Sequence, residues 1–332
     1  MQPFAFQRAA SEDEAISLAL RNDATFVAGG TTLVDLMKLN VVTPAALVDI
    51  NALPLTAIDV LADGTLKIGA LVRNSDLAYH PAVASTCPVL SQAVLAGASA
   101  QLRNMATVGG NLLQRTRCYY FRDPIYECNK RTPGAGCAAI DGFNRIHAVL
   151  GVSEHCIATH PSDMAVALVA LDAEVHIRGQ AGERRVPITD FHLLPGDTPH
   201  EETVVARGEL VTDVTIPPRR FARRSAYVKL RDRASYEFAL ASAAAAVEVD
   251  GDIVRDARIA LGGVATKPWR AKEAEEALRG HALDDRTLDA VATAAVAGAT
   301  PRRYNGYKIE LAKRAVIRSL RLAANVGNGS ES

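Results

Sequence analysis

The chain has 332 residues, 48% of them hydrophobic and 22% charged, which is typical of a globular protein large enough for more than one core. Lysine plus arginine and aspartate plus glutamate both number 37, and this zero net charge argues against nucleic acid or an anionic membrane surface as the main partner. No apolar run approaches the length of a membrane helix, and the first residues lack an export-signal pattern, so we expect neither a membrane span nor a signal peptide.

The first elements along the chain indicate an α+β region with short strands. Ser11 and Glu14 form a capping box, which predicts a helix that continues to about residue 22. Three short strands are predicted at 25–28, 46–50 and 66–70. The first of these strands runs through a Gly-Gly turn into a helical pattern, but without the GxGxxG or GK[ST] spacing of the common nucleotide motifs.

The turn Val27–Leu33 is the first candidate binding site. Gly29 and Gly30 permit positive φ and a close approach of a ligand to the backbone. The amide groups of such a turn suit an anion such as a pyrophosphate, and the hydroxyls of Thr31 and Thr32 can cap the helix or donate to phosphate. An ordinary strand-to-helix turn has the same pattern, so both interpretations stay open.

A second Gly-Gly turn, Thr107–Asn111, follows a predicted helix at 88–105. Two such turns in one region favour a dinucleotide ligand. Farther along, Ser162 or Asp163 begins a helix that reaches about residue 171. Asp163 either caps this helix or accepts a hydrogen bond from a ribityl or ribose hydroxyl.

Between the second turn and this helix, the segment 115–157 contains four of the five cysteines: Cys118, Cys128, Cys137 and Cys156. The gaps, C-x9-C-x8-C-x18-C, are wider than the close pairs of a zinc ribbon, so they predict a metal centre without identifying the metal. The segment has no periodicity, and a loop of this length needs something to organise it. Unrelated core cysteines and two disulfides are the alternatives.

A second α+β domain is predicted after Pro217-Pro218, with a boundary at about 217–222. Before it, strands are predicted at 173–178 and 210–216. After it, the pattern predicts strands at 225–230, 241–249 and 253–261, then helices at 270–279, 284–297 and 307–323.

Several of these motifs resemble a known family. AGGTTLVDLMK (28–38), TVGGNLLQ (107–114) and HPSDMA (160–165) resemble the FAD-binding subunit of the xanthine dehydrogenase family of molybdenum hydroxylases. The likeness continues through GELVTDVTIP (208–217), YVKLRDRASYEFAL (227–240) and LGGVATKPWRA (261–271), so it covers essentially the whole chain. The cysteine segment is similar to that of bacterial periplasmic aldehyde oxidoreductases, whose flavoprotein subunit carries an extra 4Fe–4S cluster. A related insertion occurs in 4-hydroxybenzoyl-CoA reductases.

The fold that this resemblance implies is α+β. It consists of a two-subdomain FAD-binding fold of the vanillyl-alcohol-oxidase/PCMH type with a cysteine-rich insertion, followed by a C-terminal α+β domain of the CO dehydrogenase flavoprotein type. The expected division is 1–60 for the first FAD-binding subdomain, 61–219 for the second with its insertion at 115–157, and 222–326 for the C-terminal domain.

The resemblance also implies roles for individual residues. The FAD pyrophosphate would be wrapped by Val27, Ala28, Gly29, Gly30, Thr31, Thr32 and Leu33, although many members have Asp or Asn where this chain has Thr32. A second side of the flavin site would be lined by Thr107, Gly109, Gly110 and Asn111. Asp163 would contact the ribityl chain, and Lys229 would lie near the isoalloxazine. The 4Fe–4S cluster would be held by Cys118, Cys128, Cys137 and Cys156, with its charge offset by Arg115, Arg117, Lys130, Arg131 and Arg145.

The function implied is that of the medium, FAD- and 4Fe–4S-containing electron-transfer subunit of a heterotrimeric molybdenum-dependent aldehyde oxidoreductase. A large molybdenum-cofactor subunit would oxidise the aldehyde to a carboxylic acid. A small 2Fe–2S subunit would pass electrons to FAD on this chain and on to an external acceptor, so we expect no residue here that is catalytic on the aldehyde.

The expected location is the periplasm. The chain would fold in the cytoplasm and leave within the complex on a partner's twin-arginine signal. Two alternatives to this function stay open at this stage. One is a flavoprotein subunit of a 4-hydroxybenzoyl-CoA reductase-like enzyme, and the other is a non-redox subunit whose cysteine–metal site only stabilises a scaffold.

Overall fold

A computed structural model describes residues 1–22 and 24–325, in which three β-sheets follow one another along the chain. The first sheet is parallel, with the strand order β1-β3-β2. Its elements in chain order are β1 (Ala5–Arg8), α1 (Glu12–Asn22), β2 (Thr25–Val27), α2 (Leu33–Lys38) and β3 (Ala46–Asp49). The predicted capping box is present, because Ser11 Oγ accepts from Glu14 N at 3.2 Å and the Glu14 carboxylate accepts from Ala10 N at 2.8 Å.

The second sheet is antiparallel, with the order β4-β5-β8-β6-β7. Its strands are β4 (Ile58–Val60), β5 (Leu66–Gly69), β6 (Glu174–Gly179), β7 (Gly182–Pro187) and β8 (Leu210–Ile216). The helices of this region are α3 (Asn74–Tyr79), α4 (Pro81–Thr86), α5 (Pro88–Ala96), α6 (Ala100–Arg103), α7 (Val108–Leu112), α8 (Tyr119–Arg122), α9 (Asp163–Ala170) and α10 (Ile188–Phe191). Every residue of α9 is buried, so this helix lies at the centre of the core that the sheet and helices share.

The helix predicted at 88–105 is not continuous. Helix α5 ends at Ala96, because Gly97 is extended and Ala98 has a φ of +51°. Ser99 then caps α6 by accepting a hydrogen bond from Leu102 N at 3.3 Å. The break places the Gly97–Ala98 backbone on the wall of a cavity that is described below.

The third sheet is antiparallel, with the order β12-β11-β10-β9. Its strands are β9 (Ser225–Leu230), β10 (Ala241–Asp250), β11 (Ile253–Gly262) and β12 (Trp269–Arg270), and a 3-10 helix at Arg220–Arg223 precedes them. The helices that follow are α11 (Lys272–Leu278), α12 (Asp285–Ala295) and α13 (Tyr307–Asn325). Alternate residues of β10 enter different cores: Ala243 and Ala245 pack with these helices, whereas Ala244 packs with the core around α9.

The regular structure in the segment 115–157 is limited to α8, an isolated antiparallel bridge between Cys128 and Cys137, and an isolated parallel bridge from Leu150 to Ala265. Its last part is bound to the C-terminal region. Lys308 Nζ on α13 donates to Ile146 O at 2.8 Å and to His147 O at 3.0 Å. Val149 N donates to Val264 O at 2.8 Å. The segment therefore connects the two halves of the molecule.

Within residues 1–22 and 24–325, no helix combines the length and the apolar content that crossing a membrane requires. The predicted C-terminal boundary at residue 326 lies outside the described residues.

Candidate functional site

Two cavities meet at the Gly-Gly turns. The first has a volume of about 520 Å³ and lies between the segment from β2 to α2 and residues 205–211. The second has a volume of about 500 Å³ and extends past Gly97 to Asp163 and Lys229. Thr31, Thr32 and Gly110 line both cavities. Together the two cavities form one cleft with two chambers, joined by a narrow waist at the Gly-Gly turns. The side chains of β2 line the first chamber, which explains why none of them is fully buried.

The first turn has the backbone that its glycines predict. Gly30 has a φ of +70°, and a Cβ on Gly29 would collide with the carbonyl oxygen of Met105. Hydrogen bonding into α2 begins with Val34 N, which donates to Gly30 O at 3.0 Å, and Thr32 makes no side-chain cap bond. Among the described residues, no hydrogen bond uses the amides of Gly29, Gly30, Thr31 or Thr32. These donors are available to a ligand at the waist.

Two residues that the sequence analysis did not single out position this turn. Asn51 Nδ2 donates to Ala28 O at 3.0 Å, and Arg73 donates both to Asn51 Oδ1, at 3.2 Å, and to Met105 O. The contacts join residues that are 22 to 32 positions apart in the sequence. No local pattern could have indicated them.

The second turn contributes a surface rather than free donors. Gly109 N donates to Ala70 O at 2.8 Å, and Gly110 N donates to Thr107 Oγ1 at 3.3 Å. A Cβ on Gly109 would stand 3.1 Å from the Ala70 Cβ. Since these amides already have acceptors, the two turns differ in kind although their sequences look alike.

The beginning of α9 is connected to the second turn. Ser162, rather than Asp163, is the N-cap, because its Oγ accepts from Ala165 N at 3.0 Å. The same hydroxyl donates to Asn111 Oδ1 at 2.7 Å. The cap of the buried helix therefore also fixes one side chain of the turn.

Asp163 and Lys229 form a buried ion pair in the second chamber. Their side chains are 9% and 4% exposed, and Lys229 Nζ lies 2.7 Å from Asp163 Oδ2. Tyr227 OH donates to Asp163 Oδ1 at 2.6 Å, and burial together with the carboxylate raises the pKa of Tyr227 well above its ordinary value. Tyr227 was missed, although its spacing of two from Lys229 on β9 puts both side chains on one face.

A second group of charges lies in the same chamber. Arg117 and Arg122 each place a guanidinium nitrogen 2.9 Å from Asp35 Oδ2. Burial, followed by the charge of Arg122, lowers the pKa of Arg117. The charged side chains lining the chamber are predominantly basic: Arg103, Arg117, Arg122, Lys229 and Arg233 against Asp35, Asp163 and Glu237. The chamber therefore favours an electron-rich or anionic occupant.

The four clustered cysteines share one apolar cluster, with Phe121 and Ile157 among its members. All five cysteines of the chain are free thiols, so the disulfide alternative is not formed. Burial raises the pKa of Cys118 to about 12 and that of Cys156 to about 11. Among the described residues, no three or more His, Cys, Asp or Glu side chains are arranged to hold a metal ion, so the predicted metal site is not evident in the structure.

Hydrogen-bond donors surround these sulfurs. The backbone amides of Tyr120 and Phe121 lie near the Cys118 sulfur and lower the pKa of its thiol. The backbone amides of Ala139, Ile140 and Ile157 lower the pKa of the Cys137 thiol in the same way. Ala158 N lies 3.4 Å from Cys156 Sγ, and His147 Nε2 lies 3.1 Å from Cys118 Sγ. These backbone N–H groups therefore oppose the effect of burial on the pKa of the thiols. Such donors favour the thiolate, which is the form that binds a metal.

The basic residues predicted to offset a cluster's charge are mostly paired with carboxylates. Arg115 and Lys130 bind Glu202, at 3.1 and 2.9 Å. Arg117 binds Asp35, and Arg145 binds Asp232 at 2.7 Å. The Arg131 guanidinium donates to the carbonyl oxygens of Tyr120 and Phe121, at 2.9 and 2.8 Å. Their positive charge is therefore largely neutralised within the protein.

Comparison with known proteins identifies the family. A family model described as the FAD binding domain in molybdopterin dehydrogenase matches residues 2–219, and one described as the CO dehydrogenase flavoprotein C-terminal domain matches residues 225–323. The aldehyde oxidoreductase FAD-binding subunit PaoB of Escherichia coli strain K12 is 52% identical, over 95% of this chain and 96% of the relative. The glyceraldehyde dehydrogenase medium chain of Sulfolobus acidocaldarius is 29% identical, over 97% of this chain and 98% of the relative.

A solved carbon monoxide dehydrogenase from Hydrogenophaga pseudoflava superposes with a TM-score of 0.76 at 28% identity, over 97% of this chain and 98% of the matched one. These findings confirm the predicted α+β fold class and FAD as a cofactor, whereas the 4Fe–4S cluster and the periplasmic location stay predictions. The chain belongs to the FAD-binding medium-subunit family of the molybdenum hydroxylases and is a subunit of an oxidoreductase.

Proposed function

We propose that the chain is the FAD-binding electron-transfer subunit of a molybdenum-dependent aldehyde oxidoreductase. The observation that carries the proposal is the two-chambered cleft whose waist presents the unpaired amides of Gly29–Thr32. A dinucleotide has the matching form, with two ring systems joined by a pyrophosphate. Each chamber is also within the volume range of ordinary cofactor pockets.

The residues would divide the binding of FAD as follows. The amides of Gly29–Thr32 would face the two negative charges of the pyrophosphate without a buried lysine. The first chamber, lined by Phe26, Val27 and Leu36, suits the adenine, and the polar second chamber suits the isoalloxazine and ribityl chain. When bound, FAD supplies the redox chemistry. The chain's own residues bind and orient it, and Asp163 with Lys229 fixes paired charges beside it.

Aldehydes are proposed as substrates because the 52% identical relative is named an aldehyde oxidoreductase subunit. We propose that the aldehyde reacts on a large molybdenum-cofactor subunit and that a small 2Fe–2S subunit delivers the electrons. We also propose that the assembled complex is exported to the periplasm. Within this chain, the proposed units are 1–60, 61–219 with the insertion 115–157, and 222–326.

We further propose that Cys118, Cys128, Cys137 and Cys156 bind a 4Fe–4S cluster. The support is that the four cysteines share one apolar cluster and that nearby backbone amides lower the thiol pKa of three of them, which favours thiolate ligands over unrelated core cysteines. In such a cluster each thiolate binds a different iron, so the sulfurs stand farther apart than around a single ion. The absence of a single-ion site among the described residues is compatible with that spacing.

Cofactor analysis of the anaerobically purified chain tests the proposal. We expect one FAD per chain and about four iron and four sulfide. Cys128→Ser should lose the iron and retain most of the FAD, because both Gly-Gly turns lie outside the segment 115–157. Cys87→Ser is the matched control, since Cys87 is equally buried but lies outside the cysteine cluster, and it should retain both cofactors. Protein without flavin would refute the assignment, and one zinc without iron would refute the cluster alone.

A further inference from the structure

We propose that His147 is a positioning residue for the iron–sulfur centre, donating a hydrogen bond from Nε2–H to the Cys118 sulfur and thereby raising the reduction potential of the cluster. The inference rests on the proposed cluster at the four cysteines. It adds a residue of the segment 115–157 to which the sequence analysis gave no role and which lies outside the cleft.

The contact is short and buried. His147 Nε2 lies 3.1 Å from Cys118 Sγ, and the histidine is 1% exposed. In the part of the chain that the structure describes, the other donor hydrogen-bonded to these sulfurs is the backbone amide of Ala158, so His147 supplies the one side-chain donor. Unlike an amide, it can be removed by substitution without altering the backbone.

The hydrogen-bond partners of the ring decide its tautomer. Nδ1 has no partner among the described residues, whereas Nε2 faces the sulfur. A cysteine sulfur bound to iron carries no proton, so it can accept a hydrogen bond from the ring but cannot donate one to it. We therefore assign the proton to Nε2, where the sulfur accepts it.

The C-terminal region fixes the position of this histidine. Its carbonyl oxygen accepts from Lys308 Nζ at 3.0 Å and from Asn305 Nδ2 at 3.4 Å. Its amide donates to Asn144 O at 3.0 Å, and the ring packs against Tyr120 with centroids 6.0 Å apart. Because hydrogen bonds hold the His147 backbone on both sides, Nε2 is already positioned to donate to the Cys118 sulfur.

The direction of the effect follows from charge. Reduction adds one electron to the cluster and its ligand sulfurs, so a hydrogen bond to a ligand stabilises the reduced form more than the oxidised form. Removing the donor should therefore shift the midpoint potential to a more negative value.

The test is a redox titration of the full chain, purified anaerobically and followed by electron paramagnetic resonance of the reduced cluster. His147→Leu removes the donor, and His147→Gln keeps an N–H close to the position of Nε2. Tyr120→Phe is the control within the same segment, because it loses only the hydroxyl that accepts from Phe143 N at 2.7 Å. We expect a negative shift in His147→Leu, restoration in His147→Gln and no shift in Tyr120→Phe.

A second measurement tests the inference if the His147→Leu protein fails to assemble its cluster. Wild type labelled with ¹⁵N-histidine should show a weak nitrogen coupling in pulsed resonance spectra of the reduced cluster, and His147→Gln should lose it. The inference is overturned if iron-loaded His147→Leu has an unchanged midpoint potential, or if wild type shows no nitrogen coupling. Neither result contradicts the proposed cluster. A coupling as large as that of a directly ligating imidazole also overturns the inference. Wild type without iron overturns the proposed cluster itself, which metal analysis detects separately.

Discussion

At the scale of single residues, the two Gly-Gly turns show how similar sequences acquire different uses. Gly109 and Gly110 donate their amides to protein acceptors, whereas no described acceptor faces those of Gly29 and Gly30. The motifs alone could predict that both turns lie close together, because each requires a near approach of backbone. They could not predict which turn presents donors, since that depends on Ala70 and on the Thr107 side chain.

Gly29→Ala should abolish FAD binding. The new Cβ would collide with the Met105 carbonyl, so the two turns would have to move apart and the waist of the cleft would open. The measurement is the FAD content of the purified protein, with the melting temperature as a check on folding. Gly306→Ala is the control, because its Cβ would meet only Pro301 at 3.7 Å, and it should retain full flavin. A fully loaded Gly29→Ala protein would contradict the assignment.

At the scale of elements, the strands that the sequence did not predict are all at sheet edges. β1, β4, β7 and β12 each have a single strand neighbour, and β1 is fully exposed while β7 contains GERRVP. These four strands bury little and each contains a charged residue, so they lack the apolar signal from which β3, β5, β8, β10 and β11 could be predicted. The helices α1 and α9 could be located because their caps are local, with donor and acceptor three residues apart.

Helix α9 supplies a prediction at this scale. Ser162→Ala removes the cap of α9, which should cost about 1 kcal/mol of stability, and it also removes the hydrogen bond to Asn111. We expect weaker FAD binding as well as a lower unfolding midpoint. Ser11→Ala removes the equivalent cap of α1 and should lower stability by a similar amount with unchanged affinity for FAD. Equal FAD affinities in the two variants would show that the cap does not support the flavin site.

At the scale of the whole molecule, the segment 115–157 binds to both halves. Its cysteines and its attachment to the C-terminal region differ in how well the sequence predicts them. The four cysteines are conspicuous in sequence, whereas the attachment through Lys308, 161 residues from His147, depends on tertiary packing alone. Lys308 is 0% exposed, and burial, followed by the charge of Arg145, lowers its pKa to about 7.

The buried lysine gives stability a specific pH dependence. In the unfolded chain its pKa is about 10.4, so between about pH 7 and pH 10 the unfolded state binds a proton that the folded state does not. The free energy of unfolding should therefore rise with pH across this window, by up to about 1.4 kcal/mol per pH unit. Below about pH 7 both states are protonated and this contribution should be constant.

Comparison of wild type with Lys308→Met isolates this contribution. Urea unfolding can be followed through Trp269, the one tryptophan, which lies on β12. We expect wild type to become more stable relative to Lys308→Met as the pH rises through the window. The exposed Lys272 provides the control, and Lys272→Met should keep the slope of wild type. Parallel curves for wild type and Lys308→Met would show that the pKa of Lys308 is not lowered in the folded protein.

The third sheet has a consequence for how this molecule can be divided. The two family matches meet between residues 219 and 225, but Tyr227, Ala244 and Ala260 of the later segment complete the apolar core of the earlier one. If the chain were cut between the two family matches, both fragments would expose apolar surface that is buried in the intact protein. The boundary between the two family matches is therefore not a boundary between independently folding units. The cleft proposed to bind FAD has a wall, which includes Lys229, that is translated only after both Gly-Gly turns.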